Sequence, residues 1–393
     1  MKIAIIELDT HSECLYSFGK IFAGSDHHLT IYTIMKIYQE ISGESFMRQF
    51  DWQIKPQKLS KAKYLKQIIK PLNENDVIFI STIESCYRTY ASLQYEALTI
   101  LRIHNANTWL NRWKSVSISF SPYILYKDLS YFIRIAVLGL DWLYTKRLLE
   151  KINFITLPNK TIQKYVEKRG LIDTEKIAPT FPLAVYDDST TNNKNEGVIK
   201  ISVPGAVDQR RRDYQLLFSA WKRISPKLEK SVELSLLGKT KGGYGKKIVS
   251  AFRDLQSDKF KFKSFQNRLQ QLEFNKVMRN TDLLVSPIIL DTRYKIYREK
   301  YGFTKISGVE ADVIRYGVPA IIPSKYPLEE NLRHLIDGYD SLESLSDLLL
   351  KYINGDLLNQ RRNDFRQVTE LYRPEKVREK LIMFLRDNLR RHN

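Results

Sequence analysis

Val198-Ile199-Lys200-Ile201-Ser202-Val203-Pro204-Gly205-Ala206-Val207-Asp208-Gln209-Arg210-Arg211-Arg212-Asp213-Tyr214 is the stretch from which the fold can be read. A β-branched run ends in glycine, and a short loop with three arginines leads into Tyr214-Gln215-Leu216-Leu217-Phe218-Ser219-Ala220-Trp221, which keeps an apolar face at helical spacing. Strand, glycine, basic loop and helix in that order open a parallel α/β layer. Gly205 lets backbone approach a ligand closely, and guanidinium groups beside a helix N-terminus suit a diphosphate by charge and bidentate geometry. The alternative is a group of surface arginines with no ligand.

The same alternation runs outward in both directions. Short apolar runs at Ile3–Leu8, Asp76–Ser81, Ala97–His104 and Asn153–Pro158, then at Val198–Gly205, Val232–Gly238, Phe260–Phe265, Asp282–Pro287 and Val318–Pro323, are separated by longer helical patterns. Several are continuous rather than alternating, as in Asp76-Val77-Ile78-Phe79-Ile80-Ser81, which suits strands covered on both faces by helices. Residues 186–196 hold no aliphatic side chain and are rich in turn formers, so they read as a linker between two α/β domains. Ligands are then expected at the carboxyl ends of the strands, where the domains face one another across a cleft.

Composition narrows the class. The chain has 393 residues, 43% of them apolar and 12% aromatic, which supports two cores and excludes a disordered chain. Two cysteines, Cys14 and Cys86, make no disulfide framework and no metal-ligand spacing, so a reducing cytoplasm is expected. The N-terminus meets Glu7 too early for a signal peptide, and no run is long enough to span a bilayer. The net charge of +19 points to phosphate-rich partners: nucleic acid, an anionic membrane surface or a phosphorylated substrate. The excess is +7 over residues 1–185 and +12 over 186–393, so it is not a tail. Lys55, Lys58, Lys61, Lys63, Lys66 and Lys70 form an acid-free run that reads either as a solvated helix face or as a membrane contact.

A second constellation lies near the C-terminal end. Within Lys300-Tyr301-Gly302-Phe303-Thr304-Lys305-Ile306-Ser307-Gly308-Val309-Glu310-Ala311-Asp312-Val313-Ile314-Arg315-Tyr316-Gly317-Val318-Pro319, Ser307 and Gly308 can open a helix that Gly317 closes. Its free amides and Lys305 would attract an anion, and Glu310 and Asp312 could accept hydrogen bonds from hydroxyls; simple capping and dipole compensation is the other reading.

Together with Leu236-Leu237-Gly238 and Asn280-Thr281-Asp282-Leu283-Leu284-Val285-Ser286-Pro287, these motifs resemble the nucleotide-sugar domain of GT-B glycosyltransferases. The chain is most similar to the large retaining, family 4-like group that includes bacterial polysaccharide and lipopolysaccharide enzymes. The resemblance is best over residues 198–325. It implies an α/β fold of GT-B architecture, with two Rossmann-like domains whose parallel sheets face across a cleft. Residues 1–185 would be the acceptor domain, 186–197 the linker, 198–372 the nucleotide-sugar domain, and 373–393 a helix crossing back to the first domain. The family's strand-end glycine falls on Gly205, its diphosphate-binding lysine on Arg212, and the preceding basic residue on Arg211. Of the family's two glutamates eight residues apart, the second falls on Asp312 and the first on Thr304, which is not acidic.

In the first half, His104 follows a buried run and looks like the active-site histidine of several members; a structural histidine satisfied by backbone is the competing reading. Ser12 and Glu13, in the loop after the first strand, can face an acceptor, with His11 equally suited to capping. Arg211, Arg212, Lys305 and the Ser307–Gly308 amides can stabilise a departing diphosphate without a metal, and no Asp-x-Asp is present to suggest one. Retention of anomeric configuration is implied by the resemblance alone. No cofactor is expected. Aromatic and basic residues interleave from Trp109 to Arg134, which suits either a packed helical hairpin or a bilayer interface carrying a lipid-linked acceptor.

The function expected is a cytoplasmic hexosyltransferase-type enzyme, peripheral on the inner face of the cell membrane. It would move a sugar from a nucleotide-sugar donor to a saccharide or lipid-linked saccharide acceptor in bacterial surface polysaccharide biosynthesis. A sugar-nucleotide epimerase on the same fold is the alternative. A basic nucleic-acid-binding protein is less supported, since no zinc module, basic zipper or RNA-recognition motif is present, and no nucleic-acid partner is expected.

Overall fold

The computed structural model describes residues 1–118, 122–186, 197–209 and 211–392. The linker expected over 186–197 therefore lies almost wholly outside the described residues, as does Arg210.

The chain divides into two compact units. The first comprises Met1–Val185, Arg293–Ile306 and Pro374–Asn393, and the second Tyr186–Thr292 and Ser307–Arg373. The first holds β1 (Lys2–Glu7), β2 (His28–Ile34), β3 (Asp51–Lys55), β4 (Val77–Thr82), β5 (Leu98–Arg102) and β6 (Phe154–Thr156). They form one parallel sheet in the order β3-β2-β1-β4-β5-β6. The second holds β7 (Val198–Val203), β8 (Ser231–Leu236), β9 (Phe260–Ser264) and β10 (Leu283–Val285), then β13 (Ala320–Pro323) and β14 (Ile336–Tyr339). Their order, β14-β13-β10-β7-β8-β9, is the same topology counted within the unit. In both sheets the strand order reverses beside the first strand, between β1 and β4 and between β7 and β10. Such switch points leave a crevice outside the carboxyl ends of the strands.

β4 is buried at every position and β1 at all but its first, which explains their unbroken apolar runs. Five strands fall outside the nine runs legible in the sequence. β2, β3 and β14 complete the two sheets; β3 and β14 are edge strands of mixed polarity, as edges commonly are. The remaining two, β11 (Asp291–Tyr294) and β12 (Tyr297–Lys300), form a hairpin whose turn passes through Lys295 at φ 57°.

Residues 293–306 pack into the first unit. The Thr108 N–H and hydroxyl donate to Glu299 Oε1 at 2.8 and 2.6 Å, Asn107 Nδ2 donates to the Arg298 carbonyl at 3.0 Å, and the Ala106 N–H donates to the Thr304 carbonyl at 2.7 Å. The helix Pro374–His392 also belongs to this unit. Val377, Leu381, Ile382 and Leu385 enter the core around β1, β4 and β5, and Arg378 donates to the carbonyls of Ile21 and Ala23. Among the described residues, no helix is long and apolar enough to cross a membrane.

Candidate functional site

The first site gathers at the switch point of the first sheet. β1 delivers Glu7 and the loop Leu8–His11, β4 delivers Thr82 and Glu84, and β5 delivers His104, two residues beyond its last paired residue. A small pocket opens there, lined by His11, Thr82, Glu84, Arg102, His104 and Tyr294 among others.

His104 is buried, with Nε2 3.1 Å from the Ser81 carbonyl and 3.2 Å from Thr82 Oγ1. A carbonyl can only accept, so Nε2 carries the proton and Nδ1 is left as an acceptor. Burial, then the charges of His11 and Arg102, push its pKa well below the usual imidazole value, so the ring is neutral. His11 lies flat against it, ring centroids 4.5 Å apart and planes 7° from parallel.

His11 does not cap the helix Ser12–Phe22, although it sits at the N-cap position. Its Nδ1 instead lies 2.6 Å from Glu13 Oε1, while the Ser12 hydroxyl donates to Glu40 Oε2 at 2.7 Å. Glu13 thus turns toward His11, and Ser12 fixes the start of the helix. His11, Glu13 and Cys14 lie close enough to share an ion. Burial pushes the Cys14 thiol up to about 12, however, so it offers no thiolate.

Two side chains behind the pocket carry no expectation from the sequence. Glu7 is fully buried, and burial raises its pKa against the opposing pull of His11 and hydrogen bonds from Thr82 and the Asp9 N–H. Arg102 is also buried, its guanidinium between the rings of Phe18 and Phe79 at 5.3 and 5.2 Å, with Nε and Nη1 lacking partners. Burial lowers its pKa. The signal was there: an acid closing the run Ile3–Leu8 and an arginine inside Leu98–Arg102 are charges where a buried strand has no use for them.

Lys305 touches two residues of this pocket's lining. Its ammonium donates to Asn105 Oδ1 at 2.7 Å and stands 5.4 Å from the Tyr294 ring centre. Lys61, read as one of six lysines on a charged face, pairs with Asp9 and donates to Ser85 Oγ at 2.9 Å. Lys55 donates to the carbonyls of Pro56 and Leu59. Lys58, Lys63, Lys66 and Lys70 are exposed.

The second site is at the switch point of the other sheet. Gly205 follows β7 at φ 92°, a conformation that favours glycine. A Cβ there would strike the Arg212 guanidinium, and a Cβ on Gly238, at the end of the run carrying β8, would strike the Gly205 backbone. Close approach of backbone requires glycine at 238, and the positive φ favours it at 205. The Tyr214 hydroxyl donates to the carbonyls of Gly205 and Ala206 at 3.2 and 3.3 Å, and Asp213 caps the helix Tyr214–Ile224 through the Leu216 N–H. The loop is tied to the chain beyond β10 by hydrogen bonds from the Asp213 N–H to Pro287 and from the Ile289 N–H to Arg211. Arg212 is half-buried with Nε unpartnered, whereas Arg211 is exposed.

Ser307 caps the helix Gly308–Tyr316 by accepting from the Val309 N–H at 3.4 Å, and Gly317 ends it at φ 64°. Glu310 turns inward: it is buried and accepts from the Tyr326 hydroxyl, which also receives the Ser307 N–H at 3.1 Å. Asp312 is half-buried. Thr304, at the place of the family's first glutamate, is buried and hydrogen-bonded to the Lys300 N–H at 2.7 Å.

No protein-family model matches the sequence, and no curated protein matches it. Solved structures match over nearly the whole chain. Anabaena HepE in complex with UDP and glucose is similar at TM-score 0.63 and 11% identity, covering 98% of this chain and 100% of that one. The lipopolysaccharide outer core galactosyltransferase WaaB in its apo form is similar at TM-score 0.56 and 12% identity, covering 99% and 100%. A UDP-N-acetylglucosamine 2-epimerase structure from Listeria monocytogenes is similar at TM-score 0.57 and 12% identity, covering 99% and 97%. With two doubly wound parallel sheets of the same strand order and these neighbours along its full length, the chain has the GT-B fold.

Proposed function

We propose that the protein is a glycosyltransferase that moves a sugar from a nucleotide sugar to a saccharide or lipid-linked saccharide acceptor in bacterial surface polysaccharide biosynthesis. The observation that carries this reading is the Gly205–Arg212–Gly238 arrangement. Two glycines admit backbone and guanidinium at a switch-point crevice, in a fold whose HepE representative holds UDP and glucose. Arg212, Arg211 and the helix N-terminus at Ser307–Gly308 would take the diphosphate, and their charge would stabilise the leaving group without a metal. Glu310, which already accepts from Tyr326, and Asp312, half-buried on the same helix, are the carboxylates we assign to sugar hydroxyls. His104 and Lys305, both in the first unit, are proposed to contact sugar there.

The test is thermal unfolding across nucleoside diphosphates and their sugars. A ligand at one hundred times its Kd adds about 2.7 kcal/mol of stability, a readily measured rise in Tm. No rise with any nucleotide would contradict the donor reading.

A bilayer-borne acceptor is supported by the surface around residues 113–142. Trp113, Leu125, Tyr126, Leu129, Ile133, Val137, Leu138 and Trp142 are exposed there, over the helix Pro122–Tyr131 and the π-helical turns Phe132–Leu138. Lys114, Lys127, Arg134, Lys146 and Arg147 are exposed beside them, while Asp128 is withdrawn to pair with Arg293. Rings and aliphatic groups ringed by cations suit anionic headgroups, each cation adding about 1 kcal/mol near such a surface. Cosedimentation with phosphatidylglycerol vesicles, weakened by Leu138→Glu and absent with phosphatidylcholine alone, is expected; equal recovery with both lipids would count against it.

A further inference from the structure

We propose that the outer face of three helices in the first unit is a docking surface for an acidic glycan, so that the acceptor is a saccharide chain with a carboxylate or phosphodiester on successive repeats. This rests on the glycosyltransferase reading and names the acceptor class within it.

The helices Lys61–Asn73, Tyr87–Ser92 and Asp141–Lys151 lie side by side. They bury Leu65 and Ile68, Tyr87 and Tyr90, and Leu148 in one core with Ile6 of β1 and Ile80 of β4. The amino ends of the first two meet where Lys61 Nζ donates to Ser85 Oγ at 2.9 Å. The carboxyl ends meet where Asn73 Nδ2 donates to the Gln94 carbonyl at 3.0 Å and Lys151 Nζ to the Leu93 carbonyl at 3.1 Å. The amino ends face the pocket, since Glu84 and Tyr87 line it.

Charge is sorted along this direction. Lys63, Lys66 and Arg88 are exposed in the amino-terminal halves of their helices. Arg147, also exposed, is brought level with them by Tyr144, whose ring centre lies 5.8 Å from the Arg88 guanidinium and 5.7 Å from that of Arg147. The exposed acids of the three helices and the turns that follow them, Glu74, Asp76, Glu96 and Glu150, are all at the carboxyl ends. For the helix Lys61–Asn73 this order opposes its dipole, which favours acids at the amino end and cations at the carboxyl end. Lys63, Lys66 and Lys70 also stand three and four residues apart on one face, where like charges repel. Folding gains nothing from this placement, whereas an anion arriving from solvent is attracted by both the cations and the helix end.

The surface suits a chain. Lys63 to Lys70 alone span about 10 Å along the helix, too far for one phosphate or carboxylate, and guanidiniums on a shared ring offer paired donors to a further anion. Among the described residues, the helices Lys61–Asn73 and Tyr87–Ser92 expose no large apolar side chain, so this face offers a bilayer nothing to insert. The exposed apolar groups begin at Trp142, one turn before Tyr144's neighbour Arg147. An acidic chain borne on a lipid would thus run from that apolar surface across the cations toward the pocket.

The test is calorimetric titration of the full chain with oligogalacturonate, poly(glycerol phosphate) and uncharged dextran at low and high salt. At least one acidic polymer should bind and dextran should not, with affinity falling as salt rises. Comparing the two acidic polymers separates carboxylate from phosphodiester. The combined Lys66→Gln, Arg88→Gln and Arg147→Gln variant should bind the polymer roughly 10- to 100-fold more weakly, with nucleoside-diphosphate affinity unchanged. Binding of neither acidic polymer, or wild-type affinity in the triple variant, would overturn the proposal. So would tighter binding of phosphatidylglycerol vesicles or of duplex DNA than of either polymer, which would assign the face to a membrane or to nucleic acid. Polymer binding is read without turnover, so failure of every nucleoside diphosphate to bind would overturn the donor reading separately.

Discussion

At Gly205, φ of 92° strains any L side chain, and a Cβ would push against the Arg212 guanidinium. Gly205→Ala should cost about 1–3 kcal/mol from backbone strain, read as a lower denaturant midpoint. It should also displace the guanidinium and weaken nucleotide binding. Arg212→Ala tests the charge without the strain. Losing a charge-assisted hydrogen bond worth about 1.5–3 kcal/mol should weaken nucleoside-diphosphate binding roughly 10- to 100-fold by calorimetric titration, with Tm nearly unchanged. Gly205 and Arg212 were legible because a glycine at a strand end and a cation before a helix are local signals. The partner of His11 was not. Histidine before Ser12 reads as a cap by position, and only the folded loop shows its ring turned to Glu13 and stacked on His104. At Glu310 the sequence showed a first-turn acid able to accept from hydroxyls, and only the fold shows that a distant tyrosine, Tyr326, supplies one.

Helix Tyr214–Ile224 shows what fixes the elements. Trp221 is fully buried and stacks on Phe260 of β9 at 4.8 Å, so the helix that follows the basic loop is clamped to its sheet. Trp221→Ala should destabilise by about 3–5 kcal/mol in urea unfolding. Strands such as β1 and β4 were readable because they are buried on both faces; buried β2 escaped because His28, Thr30 and Thr33 break its apolar run, and the edges β3 and β14 because Asp51, Gln53, Asp337 and Gly338 dilute theirs. The hairpin β11–β12 was illegible for another reason. Asp291-Thr292-Arg293-Tyr294 carries no apolar run, and its place is set by partners nearly two hundred residues away, Thr108 to Glu299 and Asn107 to Arg298.

Across the whole molecule, the excess of positive charge has separate destinations. Some cations are structural, as Lys61 is with Asp9 and Arg293 with Asp128. Others stand exposed beside the apolar surface near Trp142, and Arg211 and Arg212 flank the glycine crevice. Shared fold leaves transferase and epimerase as neighbours in kind, and the distinction lies in what becomes of the donor. A transferase liberates nucleoside diphosphate as sugar leaves, while an epimerase returns an intact nucleotide sugar of altered configuration. The most direct measurement is therefore release of free nucleoside diphosphate from a panel of nucleotide sugars, with bacterial membrane lipid as the acceptor source. The account predicts release from one donor by the wild-type protein and its loss in Arg212→Ala. Release by Arg212→Ala at the wild-type rate, or conversion of the donor to its epimer without release, would contradict it.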